Sequence, residues 1–293
     1  SPTGALAAGN KTITISYSEG GVTKTTTQAI TVTTISTTLN SNSWATIKAV
    51  SDAGQGDNYW DVGDTKTITI NGTVQGFTFS NLSIAVFILG FNHNSSREGS
   101  NRIHFQIGKI SNKLVGLCDN SYGSYVSSGF CMNTSRTNSG GWNGSYMRKT
   151  VLGNSGTPSS PPANSLLAAL PADLRAVMKP ITKYSDNTGG GNNTASYVTA
   201  TTDYLTLLAE FEYHGSRSYA NSAEQNYQKQ YDYYKAGNSK VHYRHDNTGS
   251  VVNAWTRSAN YSNSNNFCLV NTDGTPDTTN AGYSWALAPG FAA

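Results

Sequence analysis

Charge is scarce in this chain: Asp, Glu, Lys and Arg make up 13% of its 293 residues, against about a quarter in an average soluble protein. The 20 Lys and Arg residues form no cluster longer than a pair. Nucleic acid and anionic membranes need a concentrated basic stripe, so neither partner is expected. No apolar run approaches the roughly 18 residues of a membrane span, and membrane insertion is not expected either. Catalytic signatures are missing too, with no Gly-x-Ser-x-Gly elbow, no phosphate-binding Gly-Lys-Ser/Thr loop and no Cys-x-x-Cys pair. Cysteine is limited to Cys118, Cys131 and Cys268. The first two can bridge across a Ser-, Gly- and Tyr-rich excursion, which leaves Cys268, in Phe267-Cys268-Leu269-Val270, as a small buried apolar residue.

What is present is Ser, Thr and Asn in excess, 29 Gly and 17 Tyr. Low charge combined with abundant aromatics is not the composition of disorder, and the length allows a core of normal size. Lys11-Thr-Ile-Thr-Ile-Ser-Tyr17 alternates Ile13, Ile15 and Tyr17. After Glu19-Gly20-Gly21 comes a Thr-rich partner from Thr23 to Val32, a β-hairpin pattern. A polar linker ends at Ser43. The segments Trp44 to Val50, Tyr59 to Asp64 and Lys66 to Ile70 read as strands around Gly turns. Ile84 to Leu89, apolar throughout, reads as a central strand buried on both faces.

Short helices are expected over 142–152, stopped by Gly153, and over 165–170 and 171–178, the last with Pro171 at its first position. Tyr227, Tyr231 and Tyr234 have helical spacing, a packing stripe. Ala200 to Gly215 reads as a strand and its loop. Glu210 and Glu212 would share one strand face there, as a paired-carboxylate hydrolase requires, although structural bonds to neighbouring loops are the plainer expectation.

His242 and His245 fall on opposite faces of a strand, which does not suit a shared metal. Asn271 to Asp277 offers oxygens but lacks the spacing and bidentate Glu of a calcium loop, and reads as a polar turn. No cofactor, no metal and no catalytic residue is expected.

The C-terminal segment interleaves two kinds of residue. Trp255, Arg257, Phe267, Cys268, Val270, Pro289 and Phe291 suit an anchoring frame. Tyr gives stiff contact area while Ser, Asn and Gly adapt their hydrogen bonds, the chemistry of a recognition surface. The contact set so defined is Asn253, Thr256, Asn260, Tyr261, Asn263, Thr275, Asp277, Thr278, Tyr283 and Trp285.

Trp255-Thr-Arg257-Ser258, Asn265-Asn266-Phe267-Cys268-Leu-Val270-Asn271 and Leu287-Ala-Pro289-Gly-Phe291 resemble the variable region of proteins diversified by retroelements in bacteria and their phages. Ala254 stands where a second Trp is usual, and Leu287 where Val is commoner. Taken with Trp44, Trp60 to Asp64, Gly90 to Asn94 and Ser145 to Arg148, the order of features resembles a domain of unknown function from surface and prophage proteins of gut bacteria.

The resemblance implies an α+β chain with a C-type lectin-like domain over 37–293, its variable region at about 241–293. Residues 1–36 resemble the last strands of a bacterial Ig-like domain. It also implies a non-enzymatic receptor-binding protein or adhesin on a virion or cell surface. The implied partner is a host or neighbouring-cell surface protein or glycan, with room for a homo-oligomer. A structural decoration module and a glycan-modifying enzyme are the alternatives.

Overall fold

Two glycines at positive φ, Gly20 (+56°) and Gly21 (+81°), close the N-terminal hairpin in the conformation a two-residue turn of this hand demands. In the computed structural model, which describes residues 9–293, the hairpin joins β1 (Gly9–Glu19) to β2 (Val22–Val32). Glu19 is paired with Val22 and Gly9 with Val32. Residues 1–8 of the N-terminal unit expected over 1–36 lie outside the described residues.

The next element corrects the sequence reading. Trp44 to Val50 is not a strand but part of α1 (Trp44–Asp52). The Ser43 hydroxyl accepts the Thr46 N–H at 3.1 Å, an N-cap worth about 1 kcal/mol. Trp44, Ile47 and Val50 recur every three residues and all lie buried. A strand would have sent Trp44 and Ile47 to opposite sides.

Beyond α1 come β3 (Thr65–Val74), β4 (Phe77–Phe91), α2 (Ser95–Glu98), β5 (Ile103–Ile110) and β6 (Lys113–Gly116). The helix expected over 142–152 is broken in two: α3 (Gly141–Gly144) and a π-helical turn, Met147–Val151, separated by extended Ser145. Then follow α4 (Leu166–Ala169), α5 (Ala172–Arg175), β7 (Ile181–Asp186), β8 (Val198–Asp203) and α6 (Glu210–His214). The tyrosine stripe does not sit on one helix. Tyr231 and Tyr234 are buried, Tyr234 within α7 (Asp232–Lys235), while Tyr227 stacks on Tyr184 at 4.8 Å. The last elements are β9 (His242–Arg244), β10 (Val251–Val252), β11 (Ala254–Ala259), β12 (Asn266–Val270), β13 (Pro276–Asn280) and β14 (Gly290–Ala292). The chain is therefore strand-rich, with few and short helices.

The main sheet runs β10-β9-β6-β5-β4-β3; β4 is not at its centre but lies between β5 and the edge strand β3, with residues 86–89 of its apolar run all buried. The C-terminal strand β14 joins the same sheet beside β5, with Phe291 opposite Phe105. There Phe291 stacks on Phe105 at 5.2 Å and meets the Trp44 edge at 6.0 Å. The core thus unites residues from both ends of the domain. A separate ribbon, β11-β12-β13, carries the display segment, with β13 at its edge. Among the described residues no helix is long and apolar enough to cross a membrane.

Truncating Phe291 to Ala is expected to cost about 3–5 kcal/mol, read as a lower urea midpoint. A loss under about 1 kcal/mol would show that the terminal strand is not part of the core.

Candidate binding surface

The frame is built around β11, all six of whose residues are buried. The Trp255 indole N–H donates to the Phe130 carbonyl at 3.0 Å. Arg257 lies wholly buried and donates to the Leu207 carbonyl, the Ser185 hydroxyl and both carboxylate oxygens of Glu212. Glu212 also accepts from Lys183 Nζ at 2.8 Å, and Lys183 reaches Glu98 at 2.6 Å and the Tyr231 hydroxyl at 2.9 Å. Burial works to raise the Glu212 carboxyl, but Arg257 and Lys183 outweigh it and hold it well below the ordinary range. His93 and His104 border this cluster, and burial lowers both imidazoles. His93, Glu98 and Glu212 come close enough together to share a cation. Lys183 already sits between the two carboxylates, so that charge is supplied from within.

Two expected contact residues belong to this frame, which corrects the sequence reading. Thr256 is 0% exposed and donates its hydroxyl to the Cys268 carbonyl at 3.0 Å. Asn260 is 4% exposed, and its amide oxygen accepts from the Ser262 N–H and hydroxyl. Neither can meet a ligand without unmaking the ribbon. Glu210 and Glu212 lie on α6 rather than a strand, both fully buried. Glu210 accepts the backbone N–H groups of Ser218, Tyr219 and Ala220, so both carboxylates are committed to structure. Cys118, Cys131 and Cys268 are free, buried thiols, and burial pushes Cys118 and Cys131 up to about 12. The Asn271 to Asp277 segment is a polar turn, with Asp273 accepting from Thr275.

The remaining expected residues reach the surface: Asn263 and Thr275 are exposed, and Asn253, Tyr261, Asp277, Thr278, Tyr283 and Trp285 are half-buried. The loop 260–266 is braced from within by the amide oxygens of Asn260 and Asn263, which accept the Ser262 and Asn265 N–H groups, and gripped from outside by one buried side chain. Asn138 Nδ2 donates to the carbonyls of Asn260, Asn263 and Asn266 at 2.9–3.1 Å, and its own N–H donates to the Ser264 carbonyl. A side chain at Gly191 would strike the Ser264 nitrogen at 2.7 Å, so the backbone of this loop is gripped from two sides. Thr275 and Asp277 lie at the other end of the β12–β13 ribbon, where Pro276 pairs with Val270.

Tyr283 and Trp285 stack at 5.6 Å with 21° between planes. Residues outside the display segment extend this stack into a column: Tyr125 lies 4.0 Å from Tyr283, and Tyr122 meets Trp285 edge-on at 5.0 Å. Arg136 covers Tyr125 at one end and Arg244 covers Tyr122 at the other. Tyr122 also accepts the Asn253 N–H. The 119–130 excursion is held against 282–285 by backbone bonds and by Asp119, which accepts from the Ser284 hydroxyl at 2.6 Å. The Ser, Gly and Tyr content of this excursion is visible in the sequence, but its place on the surface is not. Its composition, alike in kind to the display, was the available signal.

A strand-rich α+β scaffold carrying a buried polar frame and a half-exposed aromatic rim is the class of protein these features define. The chain belongs to the family described as "Domain of unknown function (DUF6273)", which matches residues 125–291, more than half of its length. No curated protein and no solved structure matches it.

Replacing Arg257 by Met is expected to cost about 3–5 kcal/mol, because Glu212 would keep a buried charge without its fork. Exchanging Tyr261 for Ser or Asn263 for Tyr should stay within about 0.5 kcal/mol. Equal losses for both sets in urea titrations would sink the division into frame and display.

Burial also pushes Glu224 up to about 7 despite hydrogen bonds from Asp186, Ser258 and Gln228. The folded state therefore holds this proton more tightly than the unfolded chain, and the stability this group contributes falls as pH rises from about 4.5 to about 7, by up to roughly 3 kcal/mol. Glu98, raised to about 7 by burial against the pull of Lys183, acts in the same direction. The buried imidazoles of His93, His104, His214 and His242, all lowered by burial, pull the other way over this window, so the glutamate contribution is read by difference: Glu224→Gln should lose the falling component of the pH slope, its melting temperature gaining on that of the native chain as pH rises. An unchanged slope would rule Glu224 out as its source.

Proposed function

We propose that this chain is a ligand-binding protein, a receptor-binding or adhesive module on a virion or cell surface, whose C-terminal face recognises a protein or glycan of another cell. The observation that carries this reading is the grip on the 260–266 loop. Its shape is set by bonds from Asn138 to backbone carbonyls, which any residue at those positions supplies. Side chains at 261, 262, 264 and 265 can then change identity without touching those bonds, and 263 gives up only its own contact with the Asn265 N–H, as a diversified surface requires. The stacked rings add stiff contact area at little entropic cost.

Recognition here needs neither catalysis nor a cofactor. The commitment of Glu210 and Glu212 to structural bonds supports that, since the paired-carboxylate alternative depended on them. A C-type lectin-like scaffold is the fold reading that goes with it, supported by the strand-rich core, few short helices and long irregular connections. The described contact set becomes Asn253, Tyr261, Asn263, Thr275, Asp277, Thr278, Tyr283 and Trp285, joined by Tyr122 and Tyr125.

A second reading, a module joining neighbours in a virion or surface layer, is favoured by the hairpin. Ile13, Ile15 and Tyr17 on one of its faces are 45%, 58% and 65% exposed, and a lone two-stranded ribbon is marginal in water. Concentration-dependent association in sedimentation, abolished by Ile15→Thr and Tyr17→Thr together, would favour it.

The first reading is tested by randomising Tyr261, Asn263, Asp277, Thr278, Tyr283 and Trp285 in a displayed library and panning against a purified protein target. Most members are expected to fold, and binders to emerge whose affinity drops at least tenfold when positions 261, 283 and 285 are changed together to Ala. A library that largely fails to fold, or binders indifferent to these positions, would refute it.

A further inference from the structure

Outside the hairpin, the described residues include four large apolar or aromatic side chains at least 36% exposed: Val62, Tyr125, Tyr219 and Val251. Of the two aromatic ones, Tyr125 pairs with Tyr283 and Tyr219 with the 260–266 loop, and near each an arginine is laid on a tyrosine. Arg136 covers the Tyr125 ring at 4.4 Å. Two residues further along the chain is Asn138, which holds the loop. Arg217 covers Tyr261 at 5.3 Å, and the Tyr261 N–H donates to the Tyr219 carbonyl.

Stacking fixes the plane of a guanidinium while leaving its N–H edge open, which is the fork a carboxylate fits. Arg136 is exposed, and neither arginine lies within ion-pair distance of a carboxylate among the described residues. Arg217 reaches only the Ala220 carbonyl, at 3.3 Å. Two acids of these segments are spoken for: Glu210 is buried under three backbone N–H groups and Asp119 is buried against Phe130 and Ser284. Arg244, by contrast, is paired with Asp246 at 2.8 Å.

We infer that this face docks an acidic patch of a partner protein, with Arg136 and Arg217 each receiving a carboxylate. The inference rests on the binding reading above and adds the chemistry of the partner. A protein is the occupant because the two forks are carried by separate segments and each comes with exposed tyrosine surface, Tyr125 and Tyr219, together more than one small anion covers. Tyr, Trp and Arg are moreover the residues enriched where proteins meet. Arg136 rests on Tyr125, outside the loop, so its preference for acid persists while the loop side chains vary, whereas Arg217 is posed by the ring at Tyr261.

The test pans a random-peptide display library against the immobilised full chain at low salt, with 3′-sialyllactose as a separate binding probe. The expected result is enrichment of Asp and Glu in the selected peptides. Binding should weaken at least tenfold in the Arg136→Ala, Arg217→Ala double variant, fall less in the double Lys variant, and decline as salt is raised. Circular dichroism confirms that these surface variants are folded. Selected peptides that depend on Tyr283 and Trp285 but carry no acidic excess overturn this inference and leave the binding reading standing. Peptides indifferent to the arginines and the rings alike, or no enrichment at all, overturn both. Sialyllactose binding through the arginines without acidic peptides overturns the protein partner.

Discussion

Two carboxylates and two cations sealed from water hold this domain together. Glu98 on α2, Lys183 on β7, Glu212 on α6 and Arg257 on β11 alternate in sign, each within hydrogen-bond reach of the next, and all are at most 3% exposed. A buried ion is tolerable only when its partner and its remaining hydrogen bonds are all in place. The four elements therefore have one mutual arrangement that satisfies every member. Greasy contacts alone would permit sliding, whereas the Arg257 fork does not. The cost is sensitivity, because deleting either middle member, Lys183 or Glu212, leaves Glu98 or Arg257 without its ion-pair partner.

That lock explains how a variable surface coexists with a fixed fold. The side chains of Trp255, Thr256, Arg257 and Ser258 all point into bonds with the scaffold, so β11 is specified by its side chains. The loop that follows is specified the other way round, through carbonyls taken by Asn138. Along fewer than a dozen residues the chain passes from side-chain anchoring to backbone anchoring. The second kind frees side chains for recognition, and the aromatic column beside it gains stiffness from contributions by two distant segments.

The sequence made some of this legible and hid the rest for physical reasons. The hairpin was visible because Ile13, Ile15 and Tyr17 alternate around two glycines, and β4 because an apolar run of that length has few other places to go. Helix α1 was misread although Ser43 offered a cap and Trp44, Ile47 and Val50 the spacing, since the Thr- and Gly-rich surroundings favour a strand by composition. The helix over 142–152 failed at Ser145, whose extended backbone is stabilised by bonds formed around it: the Ser145 hydroxyl donates to the Trp142 carbonyl and the next N–H to Asn133. No local pattern announces those.

Composition and spacing by themselves determined that a rigid frame and an adaptable polar set share the C-terminal segment, because residue type limits what each position can do. Only the tertiary structure decided which polar residues face water. Thr256 and Asn260 look like display residues but are turned inward by their place on β11 and at its end, while Tyr122, Tyr125, Arg136 and Arg217 enter the surface from segments remote in sequence. Exposure and juxtaposition arise from how distant elements pack, and the lock formed by Glu98, Lys183, Glu212 and Arg257 is the interaction that fixes the packing.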